Sequence, residues 1–168
     1  RKLILIGSAV FEEKYAAGIE EARLARLSES NRREAEFLIY TLNDPAAGDK
    51  GKQAARLGEL FLLADCYNPL TLDIEVLEVQ YDVNKMVWQD AVKLRSTGKL
   101  LALGKDIRCP VVAIHGDYDP HPFEGVEKPL LPILREFRSV LLKNCGHLPW
   151  IEREARAEFY RVLKAELH

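Results

Sequence analysis

Two kinds of hydrophobic patterning divide the chain. Leu3-Ile4-Leu5-Ile6 is an unbroken apolar run closed by Gly7-Ser8, which predicts a short strand buried on both faces. Beyond it, apolar side chains recur at helical spacing among many charges. Tyr15, Ile19, Ala22 and Leu27 predict a helix over 11–27. Ser30 is placed to cap a second helix with Phe37, Leu38, Tyr40 and Leu42 on its apolar side, and Asn43-Asp44-Pro45 stops it. A third is predicted over 52–66, with Ala55, Leu57, Leu60, Phe61, Leu63 and Ala64 as a wide stripe and Asn68-Pro69 as its end. A fourth is predicted over 82–95, with Met86, Val87, Ala91 and Leu94 on one side and Ser96-Thr97-Gly98 after it.

The pattern changes near Asp106. Val111-Val112-Ala113-Ile114 is a β-branched run entered through Cys109-Pro110, and it leads into the turn-rich Gly116-Asp117-Tyr118-Asp119-Pro120. Residues 124–137 read as a helix in which Pro129 and Pro132 call for a late start or a kink. Ser139-Val140-Leu141-Leu142 is a further strand, closed by Asn144-Cys145-Gly146. Residues 152–167 then form an amphipathic helix with Ala155, Phe159, Val162, Leu163 and Leu167 inward. Strand–helix–strand–helix is the order of a parallel sheet with crossover helices. The reading is an α/β fold in three parts: a core strand in 1–8, an all-helical cap inserted over 9–103, and a βαβα core part over 104–168. A helical insertion between strands of such a sheet has the character of a lid.

Composition narrows the partners. A formal charge of −2 gives no electrostatic case for nucleic acid or an anionic membrane. No apolar run approaches the roughly 20 residues of a membrane helix. With 48% hydrophobic and 30% charged residues the balance is that of a soluble globular domain. Cys66, Cys109 and Cys145 are odd in number and irregular in spacing, so they are expected to stay reduced, in a cytoplasmic setting.

The candidate chemistry sits in two loops, each just past a strand. In open α/β sheets functional groups gather beyond the carboxyl ends of the strands. Asp117 and Asp119 lie there in one loop, His147 in the other, and parallel neighbouring strands would bring the loops together. An acid that orients an imidazole, and an imidazole that moves protons, make a catalytic relay.

These segments resemble those of the α/β-hydrolase family. Pro110 to Asp119, an apolar strand followed by Gly116 and an acid three residues on, resembles the family's seventh strand and acid loop. Cys145-Gly146-His147-Leu148-Pro149 followed by Glu152 resembles its histidine loop, and Lys2 to Ser8 its sixth strand. The resemblance implies that Asp119 is the catalytic acid and His147 the base. It also implies a small-molecule substrate, an ester or small amide, with no cofactor and no metal. The family's G-x-S-x-G nucleophile elbow does not occur here. The resemblance therefore places the nucleophile and oxyanion hole before Arg1, and makes the 168-residue chain the inactive C-terminal part of a longer serine-type enzyme.

Other residues read more plainly. Asp117 is expected to be a turn residue, Ser8 a loop serine, and His115 and His121 structural or substrate-side neighbours. Cys145 should diverge from His147, and Trp88 and Trp150 should belong to the core. Two alternatives stand beside the hydrolase. His115, Asp117, Asp119 and His121 alternate as in a hydrolytic metal cluster. Or the chain is a non-catalytic module that self-associates through an exposed sheet edge.

Overall fold

A computed structural model describes residues 1–72 and 79–167. Three strands, β1 (Leu3–Ile6), β2 (Val111–Gly116) and β3 (Phe137–Leu142), form one parallel sheet in the order β1-β2-β3. Register pairs Leu3 with Val111 and Ile6 with Ile114 on one side, and Val111 with Phe137 and Gly116 with Leu142 on the other. β2 is therefore central, and all six of its residues are buried.

Because side chains alternate along a strand, β2 feeds two cores. Val112 and Ile114 join Leu142, Cys145, Ala155, Phe159 and Val162 on one face, under helix α7 (Arg156–Leu167). Val111 and Ala113 join Val126, Leu130 and Leu134 on the other, under helix α6 (Glu124–Leu130). The helices between β1 and β2 are α1 (Ile19–Arg26), α2 (Glu29–Asn43), α3 (Lys50–Asp65), α4 (Tyr81–Ser96) and the short α5 (Lys99–Ala102). They hold a separate small core of Ala35, Leu38 and Leu60, with Leu24, Leu27 and Leu57 packed against it.

Helix boundaries differ from the sequence pattern for local reasons. The segment expected as one helix over 11–27 is a 3-10 turn at Glu13–Tyr15 followed by α1, broken around Gly18. Ser28, not Ser30, caps α2, its Oγ accepting the Asn31 N–H at 3.3 Å. Asp49 caps α3 in the same way through the Lys52 N–H. α6 stops at Leu130 instead of reaching 137. Pro132 has no N–H to continue the ladder, and it restricts the residue before it. Pro129 lies inside α6 and cannot bond the Gly125 carbonyl, so the Phe11 N–H takes that acceptor at 3.0 Å. The last helix begins at Arg156, because Glu152 is held in a buried turn described below.

Two expectations about packing are corrected. α4 contains no buried residue, and Met86 and Val87 are 58% and 62% exposed, so its apolar stripe is not core. Trp88 is exposed as well and lines a cavity, while Phe37 and Tyr40 of α2 face outward. Helical periodicity finds an apolar side but not the element, if any, that covers it.

Candidate active site

β2 ends at Gly116, and the chain then turns so tightly that a side chain on Gly116 would meet the Cys145 and Gly146 carbonyls. That close approach joins the two loops past β2 and β3. The Tyr118 N–H donates to the Cys145 carbonyl at 2.8 Å, and the Asp117 N–H to the Leu142 carbonyl at 2.9 Å. Gly7, at the end of β1 with φ of 52°, lies against the His147 backbone, where any Cβ would clash with its carbonyl.

Asp119 and His147 meet in this crowded rim. His147 Nδ1 lies 2.8 Å from Asp119 Oδ2. The Asp119 side chain is fully buried and the His147 side chain 27% exposed. Burial by itself would raise the Asp119 pKa, but the hydrogen bonds from His121 and His147 outweigh it and hold the carboxyl far below its ordinary value. An ionised carboxylate only accepts, so His147 Nδ1 carries the proton and Nε2 the lone pair. For His147, burial pulls the pKa down, while the hydrogen bond and charge of Asp119 push it up, and the net direction is up.

The neighbouring residues separate clearly. Asp117 does not reach His147; its Oδ1 accepts the Cys145 N–H at 3.3 Å and its Oδ2 lies 3.5 Å from Lys143 Nζ. His121 folds back on the same acid, donating both its backbone N–H and Nδ1–H to Asp119 Oδ1 at 2.9 Å each. His115 is 1% exposed and donates Nε2–H to the His121 carbonyl at 2.8 Å. Burial pushes its pKa below the ordinary imidazole value, which favours the neutral ring. Of the metal set of His115, Asp117, Asp119 and His121, Asp117 stands apart, and His115 Nε2, although 3.4 Å from Asp119 Oδ2, has its N–H engaged by the His121 carbonyl. Cys145 Sγ turns to the Gly146 carbonyl and away from His147. The Ser8 hydroxyl donates to the Ala9 carbonyl, and among the described residues no serine hydroxyl bonds His147.

Two anchors have no role assigned from the sequence, although Glu152 belongs to the histidine-loop motif. Glu152 is completely buried, and its carboxylate accepts three backbone N–H groups: Tyr67 at 2.7 Å, Asn68 at 2.7 Å and Gly146 at 2.8 Å. Asp65, at the end of α3, accepts the His147 N–H on its carbonyl at 2.8 Å. Its carboxylate takes a two-pronged pair from Arg23 of α1, both contacts 2.7 Å. The helical segment and the histidine loop are therefore fastened together on both sides of His147. Six-residue spacing between Gly146 and Glu152 was the available signal for the first anchor. Nothing local marks the second, whose partners are 42 residues apart.

His147 and His121 open on a cavity of about 850 Å³ roofed by the helices. Ile19, Leu57, Phe61 and Trp88 give it apolar walls, and Arg23 and Arg95 add charge.

Solved structures share this fold. A hydrolase of the alpha/beta fold family from Bacillus anthracis str. Sterne aligns with a TM-score of 0.61 at 18% identity, over 98% of this chain and 57% of its own. VinJ aligns at 0.57 and 14% identity, over 99% and 56%. A proline iminopeptidase from Mycobacterium smegmatis aligns at 0.50 and 17%, over 99% and 56%. The chain has the α/β-hydrolase fold. It spans a little over half the length of these α/β-hydrolase structures. No protein-family model and no curated protein matches the sequence. Among the described residues, no helix of this chain is long and apolar enough to cross a membrane.

Proposed function

We propose that Asp119 and His147 are the acid and base of a serine-type hydrolase acting on esters or small amides, in a longer protein that supplies the nucleophile. One observation carries this reading: the 2.8 Å bond between Asp119 Oδ2 and His147 Nδ1 at the carboxyl ends of adjacent parallel strands. His147 Nε2 takes the serine proton as the serine oxygen bonds the substrate carbonyl carbon. It then returns that proton to the departing alcohol or amine. Water repeats the exchange and frees the acid. Asp119 holds the ring in the useful tautomer and stabilises its charged form. The roofed cavity would receive the acyl group.

The same reading accounts for the open edge of β1, which pairs with β2 on one side and with no described strand on the other. The remaining strands of the longer protein, or a second copy of this chain, would cover it. Free thiols at Cys66, Cys109 and Cys145 agree with a reducing, cytoplasmic setting.

The test is p-nitrophenyl ester turnover. The 168-residue chain alone is expected to show none that depends on His147. In the longer protein, Asp119→Asn should lower kcat by about 10⁴ and Asp117→Asn by far less. Histidine-dependent turnover by the isolated chain, or the reverse order of the two aspartates, would overturn the assignment.

A further inference from the structure

Asp119 hydrogen-bonds two imidazoles, with His115 Nε2 3.4 Å from the same carboxylate, and only His147 has a role in the reaction above. Both His121 and His147 turn Nδ1 to its carboxylate, at 2.9 and 2.8 Å. Both therefore hold the proton on Nδ1 and leave a lone pair on Nε2. The rings sit side by side, centroids 4.9 Å apart and tilted by 35°, and both line the same cavity. His121 is only 8% exposed, and its ring bonds of the described residues run through Nδ1, which leaves Nε2 to the cavity it lines. His147 Nε2 is free in the same sense. Two acceptor nitrogens on neighbouring rings that line one cavity suit a cation that both can bind. His115 does not compete for it, because its Nε2–H is engaged by the His121 carbonyl.

We propose that His121 and His147 form a binding site for a zinc-class divalent ion, with Asp119 behind them as the carboxylate that orients both rings. Neutral imidazole nitrogen favours zinc, copper or nickel over magnesium and calcium. A carboxylate on the far nitrogen of a ligating histidine is the recurrent support for such sites, fixing tautomer and ring direction. The ligand-capable atoms of Asp119, His121 and His147 lie within 4.8 Å of one another. The cavity leaves room for water to complete a tetrahedral shell. This set differs from the alternating cluster in the acid loop: it omits His115 and Asp117 and draws His147 from the next loop. An ion on Nε2 would occupy the lone pair that takes the serine proton, so it would inhibit. Inhibition rests on His147 being the base; binding does not.

The experiment titrates Zn²⁺ into the 168-residue chain at neutral pH, followed by calorimetry and by long-range ¹H–¹⁵N spectra of the histidine rings. One equivalent should bind, with the Nε2 signals of His121 and His147 moving together and that of His115 unmoved; Mg²⁺ should move none. His121→Ala should weaken binding at least about tenfold, and Asp119→Asn about 10–100-fold. Cys109→Ser should leave it unchanged. The site is wrong if no equivalent binds, if only one of the two rings responds, if His121→Ala binds like the parent, or if Cys109→Ser abolishes binding. Should His121→Ala fail to fold, the paired ring shifts of the unsubstituted chain decide alone. The ester assay stays separate, so zinc binding without catalysis in the longer protein would sink the base assignment and keep the metal site.

Discussion

The Glu152 carboxylate accepts the Gly146 N–H at 2.8 Å, so the loop that carries His147 is closed on itself by a charge with no exposure to water. The same carboxylate also holds the Tyr67 and Asn68 N–H groups just past α3. A buried carboxylate is tolerable only where hydrogen bonds replace its hydration, and here three backbone donors do so. Around it the two segments run antiparallel: Leu70 N–H meets the Ile151 carbonyl at 2.7 Å and Arg153 N–H the Asn68 carbonyl at 3.0 Å. Glu152 thus ties the helical segment to the site.

Glu152→Ala strips three donors of their partner at once and leaves a cavity. Each stranded buried donor costs about 1–3 kcal/mol, so the total loss should exceed about 3 kcal/mol. Glu152→Gln keeps most of the volume and one acceptor oxygen, and should cost clearly less. Urea denaturation at constant m-value measures both; equal stability of the alanine variant and the parent would show that the buried network contributes nothing.

The Asp119–His147 pair should be visible in pH titration. His147 is raised above its ordinary 6.5 in the fold, so its contribution to stability is fully present below 6.5 and is lost as pH rises through the folded value. Asp119 is lowered from 3.8, so its contribution is present above 3.8 and is lost as pH falls through the folded value. The pair therefore stabilises most between those limits. In Asp119→Asn the main raising influence on His147 is gone, while burial, the larger lowering one, remains and the smaller opposing charges of Asp65 and Arg23 stay in place. The His147 midpoint, read by ¹⁵N NMR, should fall below 6.5. A midpoint that stays put or climbs would mean the two side chains do not interact in solution.

The three thiols should differ sharply towards iodoacetamide. Burial first, and the nearby Glu152 charge second, push Cys66 and Cys145 up to about 12, and both side chains are enclosed. Cys109 is partly exposed. Mass spectrometry of the native chain should find Cys109 alkylated well before the other two. Simultaneous labelling of all three would argue that the rim around His147 opens readily.

Much of this was legible in the residue order because it depends on local rules. Unbroken apolar runs give Leu3–Ile6 and the Val111–Ile114 part of β2; central β2 is buried on both faces, whereas β1, at the sheet edge, is half-buried and not enclosed as its pattern predicts. The loops after them carry polar residues because strand ends are where a sheet exposes side chains to a crevice. Residue order therefore indicated Asp119 over Asp117 and singled out His147, through the resemblance of their motifs. It did not decide that α4 would present Met86, Val87 and Trp88 outward, because burial needs a partner surface and periodicity names none.

Packing alone selects the side chains that share the Asp119 carboxylate. His121 is two residues from Asp119 and could have faced solvent; the tight turn at Asp119-Pro120-His121 instead gives it one carboxylate oxygen and His147 the other. Arg23 with Asp65, and Glu152 with Tyr67 and Asn68, bond across 42 to 85 residues of sequence. Such contacts have no local signature, because backbone direction and side-chain reach in three dimensions select them and spacing along the chain does not. Local residue pattern sets the strands and the two loops that carry polar chemistry, because both follow from neighbours along the chain. Their packing determined the geometry in which an aspartate, two histidines and a buried glutamate meet.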